Sequence, residues 1–89
     1  MDVVQVREMV FRSVAQLAGV SPSSLGDDAT LESVGLDSAD AVVLAMEVEQ
    51  VAGKEIEVGL FLRCATIAEA AAEIAKIVKL ENAESVPAT

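Results

Sequence analysis

The sequence predicts an all-α domain, a four-helix bundle with three long helices, a short third helix and a long loop between the first two. Three observations carry this. Apolar residues recur at steps of three and four along three separate segments, the spacing of one helical face. Those segments open on the capping residues Asp2, Asp37 and Thr66, and the first two stop at Gly19 and Gly53. The chain has 89 residues, one small domain's worth, and its 53% hydrophobic content is far above that of a disordered chain.

In the first helix Val3, Val6, Val10, Val14 and Leu17 share a face, and Gln5, Arg7, Glu8, Arg12 and Gln16 fall elsewhere. The stretch "VSPSSLGDDATLESVG" then breaks the pattern with Pro22, clustered serines, Gly26 and Gly35. A connection this long in a compact domain is often functional. Leu25, Leu31, Val34 and Leu36 are placed to tuck it onto the bundle. The second helix starts at Asp37, with Ala41, Leu44, Val48 and Val51 on one stripe. Gly59 limits the third to a turn or two around Leu60 to Arg63; "EIEV" alternates like a strand but has no partner strand. The last helix opens on the capping box "TIAE" and buries Ile67, Ala70, Ala71, Ile74, Ile77 and Val78. Lys76 and Lys79 are expected near its C-terminal end, where the helix dipole favours cations. The domain is expected to span residues 1–81, and the polar stretch 82–89 to be a disordered tail.

Composition excludes several function classes. The 15 acidic and six basic residues give a formal charge of −9, which argues against nucleic acid. Complementary fields point instead to partners with basic docking patches. The chain has no histidine and a single cysteine, Cys64, so zinc sites and Ser-His or Cys-His catalysis are closed. Cys64 also has no internal disulfide partner, and its apolar context suits a small buried residue. The N-terminus lacks a basic n-region and a long apolar core, and no run reaches ~18 apolar residues, so no signal peptide and no membrane span are expected. A cytoplasmic monomer is the expectation.

The informative stretch is "GLDSADAVVLAME". Asp37 caps the second helix and Asp40 falls at its third position, where negative charge suits the helix end. That leaves Ser38 at the first helical position, pointing outward. A hydroxyl needs a base or oxyanion donors to become a nucleophile; the chain has no histidine, and two carboxylates beside the serine do not make a hydrolase. Ser38 reads as a substrate for another enzyme, so no catalytic residue and no resident metal are assigned.

"GLDSADAVVLAMEVEQ" resembles the attachment motif of acyl carrier proteins, in which Asp-Ser opens the second of four helices. The resemblance covers about residues 3–80: "TLESVGLDS" is similar to the family's approach to the serine, "VEQVAGKEIEV" to the exit from helix two, and "ATIAEAAAEIAKIV" to the final helix. It implies that Ser38 receives a 4′-phosphopantetheine arm from coenzyme A, through a phosphopantetheinyl transferase and its divalent metal. Asp37 would contact that transferase or metal, beyond its cap role. The arm would hold an acyl or aminoacyl group as a thioester for a loading enzyme and for ketosynthase, acyltransferase or condensation-type enzymes.

By the same resemblance, Ala39, Asp40, Val42, Val43, Met46, Glu47 and Glu49 would form the docking surface. Leu44, Val48, Ile56, Phe61, Cys64 and Ile67 would line an acyl pocket; for each of these, core packing is the competing reading. Two positions depart from the pattern. Ala39 stands where the family usually has leucine or another large apolar residue, and Val43 where fatty-acid carriers commonly have a carboxylate. "GLDS" looks like the fatty-acid and polyketide kind, whereas "LFLRCATIAEAA" leans to the peptidyl kind, so the expected pathway is a specialised biosynthetic one. The alternative is an acidic helical adapter that keeps the fold and leaves Ser38 unmodified.

Overall fold

A computed structural model describes residues 2–85, with side chains described for residues 2–79. It contains α1 (Val3–Ala18), α2 (Ser38–Ala52), α3 (Leu60–Arg63) and α4 (Ile67–Ser85), plus 3₁₀ turns at Pro22–Ser24 and Glu32–Val34. There is no strand among the described residues, so the alternation in "EIEV" stays irregular for want of a partner.

Local chemistry sets each helix boundary. Asp2 accepts the Gln5 N–H at 2.8 Å while the Gln5 side chain accepts the Asp2 N–H at 2.9 Å, closing a capping box at the start of α1. Gly19 and Gly53 follow α1 and α2 in the left-handed conformation, at φ +74° and +70°. Thr66 Oγ1 accepts the Glu69 N–H at 3.1 Å and starts α4.

α1 packs most extensively on α4 and then on α2, and α2 packs on α3. Val6, Val10, Val14, Leu44, Val48, Ile67 and Ile74 are at most 1% exposed and form the centre of an aliphatic core. The expected stripes are right at mid-helix and fail at the ends. Val3 (56% exposed), Leu17 (37%) and Val51 (54%) share the angle of their stripes or drift from it where neighbouring helices no longer cover them. Conversely Phe11 and Ala15 are buried, because the Pro22–Ser24 turn packs along a second side of α1. In α4, Ala75 is buried and Ile77 only partly so.

The last helix runs to Ser85, beyond the Glu81 boundary. No breaker intervenes before Pro87, which disfavours helix at the residue preceding it. Lys76 and Lys79 therefore lie inside α4 and not in its last turn, and the expected dipole interaction is not made; Lys76 instead meets Glu73 at 3.4 Å. The remainder of the expected tail, residues 86–89, lies outside the described residues.

The loop before α2 positions the site. Leu25 is buried, and Leu31, Val34 and Leu36 pack against the core as expected. Thr30 and Ser33 exchange side-chain hydrogen bonds with each other's backbone N–H at 2.9 and 3.0 Å, fixing the second 3₁₀ turn. Gly35, at φ +80°, reverses the chain into α2, a conformation that costs other residues. The Ile67 N–H donates to the Ala29 carbonyl at 3.0 Å, tying this loop to the α3–α4 junction.

Candidate functional site

Ser38 stands at the first position of α2. The Asp37 carboxylate accepts the Asp40 N–H at 3.0 Å, and the Asp40 carboxylate accepts the Asp37 N–H at 3.0 Å. The donated Asp40 N–H, aided by the Asp40 side chain, holds the Asp37 carboxyl below its ordinary range. Both aspartates are thus committed to the cap. Ser38 is exposed, and no hydrogen bond engages its hydroxyl among the described residues. The hydroxyls around it are in use: Thr30 and Ser33 bind each other's backbone, and Thr66 caps α4.

A cleft of about 430 Å³ adjoins Ser38. Its walls come from the loop (Thr30, Leu31, Glu32, Leu36), from the start of α2 (Asp37, Ser38) and from the α3–α4 junction. That junction contributes Phe61, Leu62, Cys64, Ala65, Thr66 and Ile67. Of the expected pocket residues, Phe61, Cys64 and Ile67 line this cleft. Leu44, Val48 and Ile56 do not: they are packed in the core and contribute nothing to its lining. Leu31, Leu36, Leu62 and the two threonines are cleft residues that motif reading missed. The turn signals located the loop, and the long-range bond from the Ile67 N–H to the Ala29 carbonyl ties it to the start of α4.

Cys64 is half-buried, not buried. Burial pushes its thiol above the ordinary value, with Glu69 and Glu73 adding to the rise and Arg63 opposing it.

Along α2, Ala39, Val42, Val43 and Met46 face solvent, with Val42, Val43 and Met46 37%, 46% and 60% exposed, and Glu49, Gln50 and Val51 are exposed toward its end. The first four follow Ser38 on one side of the helix, as the period requires. Val43, Met46 and Glu47 border a shallow depression of about 360 Å³ with Glu49 and Gln50. Glu47 is half-buried at its flank. Glu49 has an internal duty: its Oε1 accepts the Ile56 N–H at 2.9 Å, anchoring the segment that leads to α3.

Residues 10–74 match the family model described as the phosphopantetheine attachment site. The chain belongs to this family. It is a carrier of the acyl carrier protein type, and its cofactor is covalently bound 4′-phosphopantetheine. No curated protein and no solved structure gives a significant match. As a carrier, the chain interacts with a phosphopantetheinyl transferase and with pathway enzymes. The geometry suits the group: an uncommitted hydroxyl at a helix start, where orphan N–H groups favour an anion, beside a concave cleft of mixed polarity.

Proposed function

We propose that Ser38 is the attachment point and that the carrier serves a specialised polyketide, fatty-acid-like or mixed peptide pathway in the cytoplasm as a monomer. One observation carries the assignment: among the hydroxyls around the cleft, that of Ser38 is exposed and uncommitted while Thr30, Ser33 and Thr66 are engaged. When bound, the arm supplies a terminal thiol that holds the cargo as a thioester.

The chain's own residues act by presentation. Ser38 Oγ would form the new bond to the phosphorus that carries the pantetheine as the pyrophosphate P–O bond of coenzyme A breaks and adenosine 3′,5′-bisphosphate leaves, and the Ser38 proton would pass to a base of the transferase, since the carrier holds no histidine. Asp37 and Asp40 hold the hydroxyl at a fixed place by locking the first turn of α2. Leu31, Leu36 and Leu62 offer apolar surface beside the attachment point, over the buried Phe61 and Ile67. Ala39, Val42, Val43 and Met46 offer an apolar docking strip, flanked by Glu47, to the transferase and to loading, ketosynthase, acyltransferase or condensation-type enzymes.

Incubation with coenzyme A, magnesium and a promiscuous transferase tests the attachment. Intact mass is expected to rise by one phosphopantetheine in the wild-type chain and not in Ser38→Ala. No rise, under conditions that modify a control carrier, leaves the unmodified adapter as the reading.

A further inference from the structure

The cleft beside Ser38 has a charge character that its shape alone does not require. Its charged walls are Glu32 and Asp37, and no lysine or arginine lines it. Asp37 is spent on the cap. Glu32 is exposed, at the start of the second 3₁₀ turn, and no hydrogen bond or ion pair engages its carboxylate among the described residues.

The opposite wall, at the α3–α4 junction, contributes no charged side chain to the cleft. Arg63 is turned to Glu57, at 3.1 Å, and Lys76 meets Glu73 at 3.4 Å. The charged lining of the cleft is therefore negative and lies on the Glu32 side, and neither Arg63 nor Lys76 lines it. Leu44, Val48 and Ile56 are buried and do not line it. Its accessible apolar surface, from Leu31, Leu36 and Leu62, can meet a few methylenes.

A cargo tethered at Ser38 stays near this surface at high effective concentration, so a weak preference is expressed. A carboxylate-ended cargo would meet like charge there, and an ammonium-ended cargo opposite charge. We propose that the cleft selects small cargo bearing a free ammonium group, an aminoacyl thioester, over carboxylate-ended acyl cargo, with Glu32 as the selecting side chain. This rests on the assignment of Ser38 as the attachment point.

Three forms of the carrier test it, loaded at Ser38 by a promiscuous transferase from β-alanyl-, malonyl- and butyryl-coenzyme A. β-Alanyl and butyryl groups match in size and differ in charge. Backbone amide resonances of Thr30 to Leu36 and of Ala65 to Ile67 are expected to shift in the β-alanyl form more than in the other two. Within the β-alanyl form, Glu32→Gln is expected to speed thioester hydrolysis by about threefold, the scale of one exposed ion pair. Glu32→Lys is expected to move the protection to the malonyl form, a reversal that a purely structural glutamate would not produce. Equal shifts for all three cargoes, or unchanged hydrolysis in both variants, overturn the selection while the mass gain keeps the attachment reading intact. Failure of any cargo to add at Ser38 overturns both.

Discussion

At the residue scale the cap of α2 governs how Ser38 is displayed, and it titrates. The Asp40 N–H donated to Asp37 favours the ionised carboxylate. Its folded carboxyl therefore titrates below the unfolded value of about 3.9. The stability it contributes is complete above that value and is lost as pH falls through the lower folded one. Asn caps nearly as well as Asp and does not titrate. Asp37→Asn is expected to match the wild type at neutral pH and to lose less of its urea midpoint between pH 5 and pH 3. Parallel losses in the two proteins would remove Asp37 from the acid response. Ala39 is the other decisive letter. It is exposed one residue past Ser38, where a partner reaching the hydroxyl must come close. Restoring a large apolar side chain with Ala39→Leu would add about 1–2 kcal/mol of contact at ~0.8 per buried CH₂. That is about a 5- to 30-fold rise in kcat/KM for modification by a generic transferase. An unchanged kcat/KM would mean that the transferase does not cover this position.

At the element scale α2 does two things with one apolar run. Ala41, Leu44, Ala45 and Val48 fill the core, and Val42, Val43 and Met46 face water. A helix apolar on both faces is usually covered on both. The double variant Val42→Ser, Met46→Ser is expected to keep its unfolding free energy within about 0.5 kcal/mol per site, as exposed substitutions do. Its modification by the transferase should fall by about tenfold or more from lost apolar contact. Normal kinetics in that variant would assign the strip to other partners. Glu49 behaves in the opposite way. Its carboxylate satisfies the Ile56 N–H, so Glu49→Ala should cost about 1 kcal/mol of stability, read from urea unfolding, with little change in docking. The contrast shows what periodicity can and cannot deliver. The inward half of α2 was legible because apolar spacing repeats with the turn, as was the exposure of Val42, Val43 and Met46, since not all could face inward. The duty of Glu49 was hidden, because it depends on where the chain returns seven residues later. The cleft was hidden for the same reason: Leu31 and Leu36 read as loop anchors, and the tie from Ile67 to Ala29 that joins their loop to the start of α4 is long-range.

At the scale of the whole molecule, the fold followed from caps, glycine stops and three apolar stripes, all local signals, while helix ends such as Val3, Leu17 and Val51 escaped it. Charge is the one global property open to composition alone, and it has a consequence for stability. With a formal charge of −9, the compact chain repels itself. The ion pairs Arg7–Asp27, Arg63–Glu57 and Lys76–Glu73 are all exposed. Pairs of that kind contribute little. Salt weakens both kinds of interaction, shortening the screening length from ~30 Å at 0.01 M to ~10 Å at 0.1 M. The repulsion acts between many carboxylates at long range, and the attractions are few and short. Screening should therefore remove more repulsion than attraction. The urea midpoint of the unmodified carrier is expected to rise as sodium chloride is raised from 0.01 M to about 0.15 M, over the range where the screening length shrinks most. A falling midpoint would mean that the surface pairs outweigh the net charge, and that the loop held to α1 by Arg7 and Asp27 is a larger part of the stability than its exposure suggests.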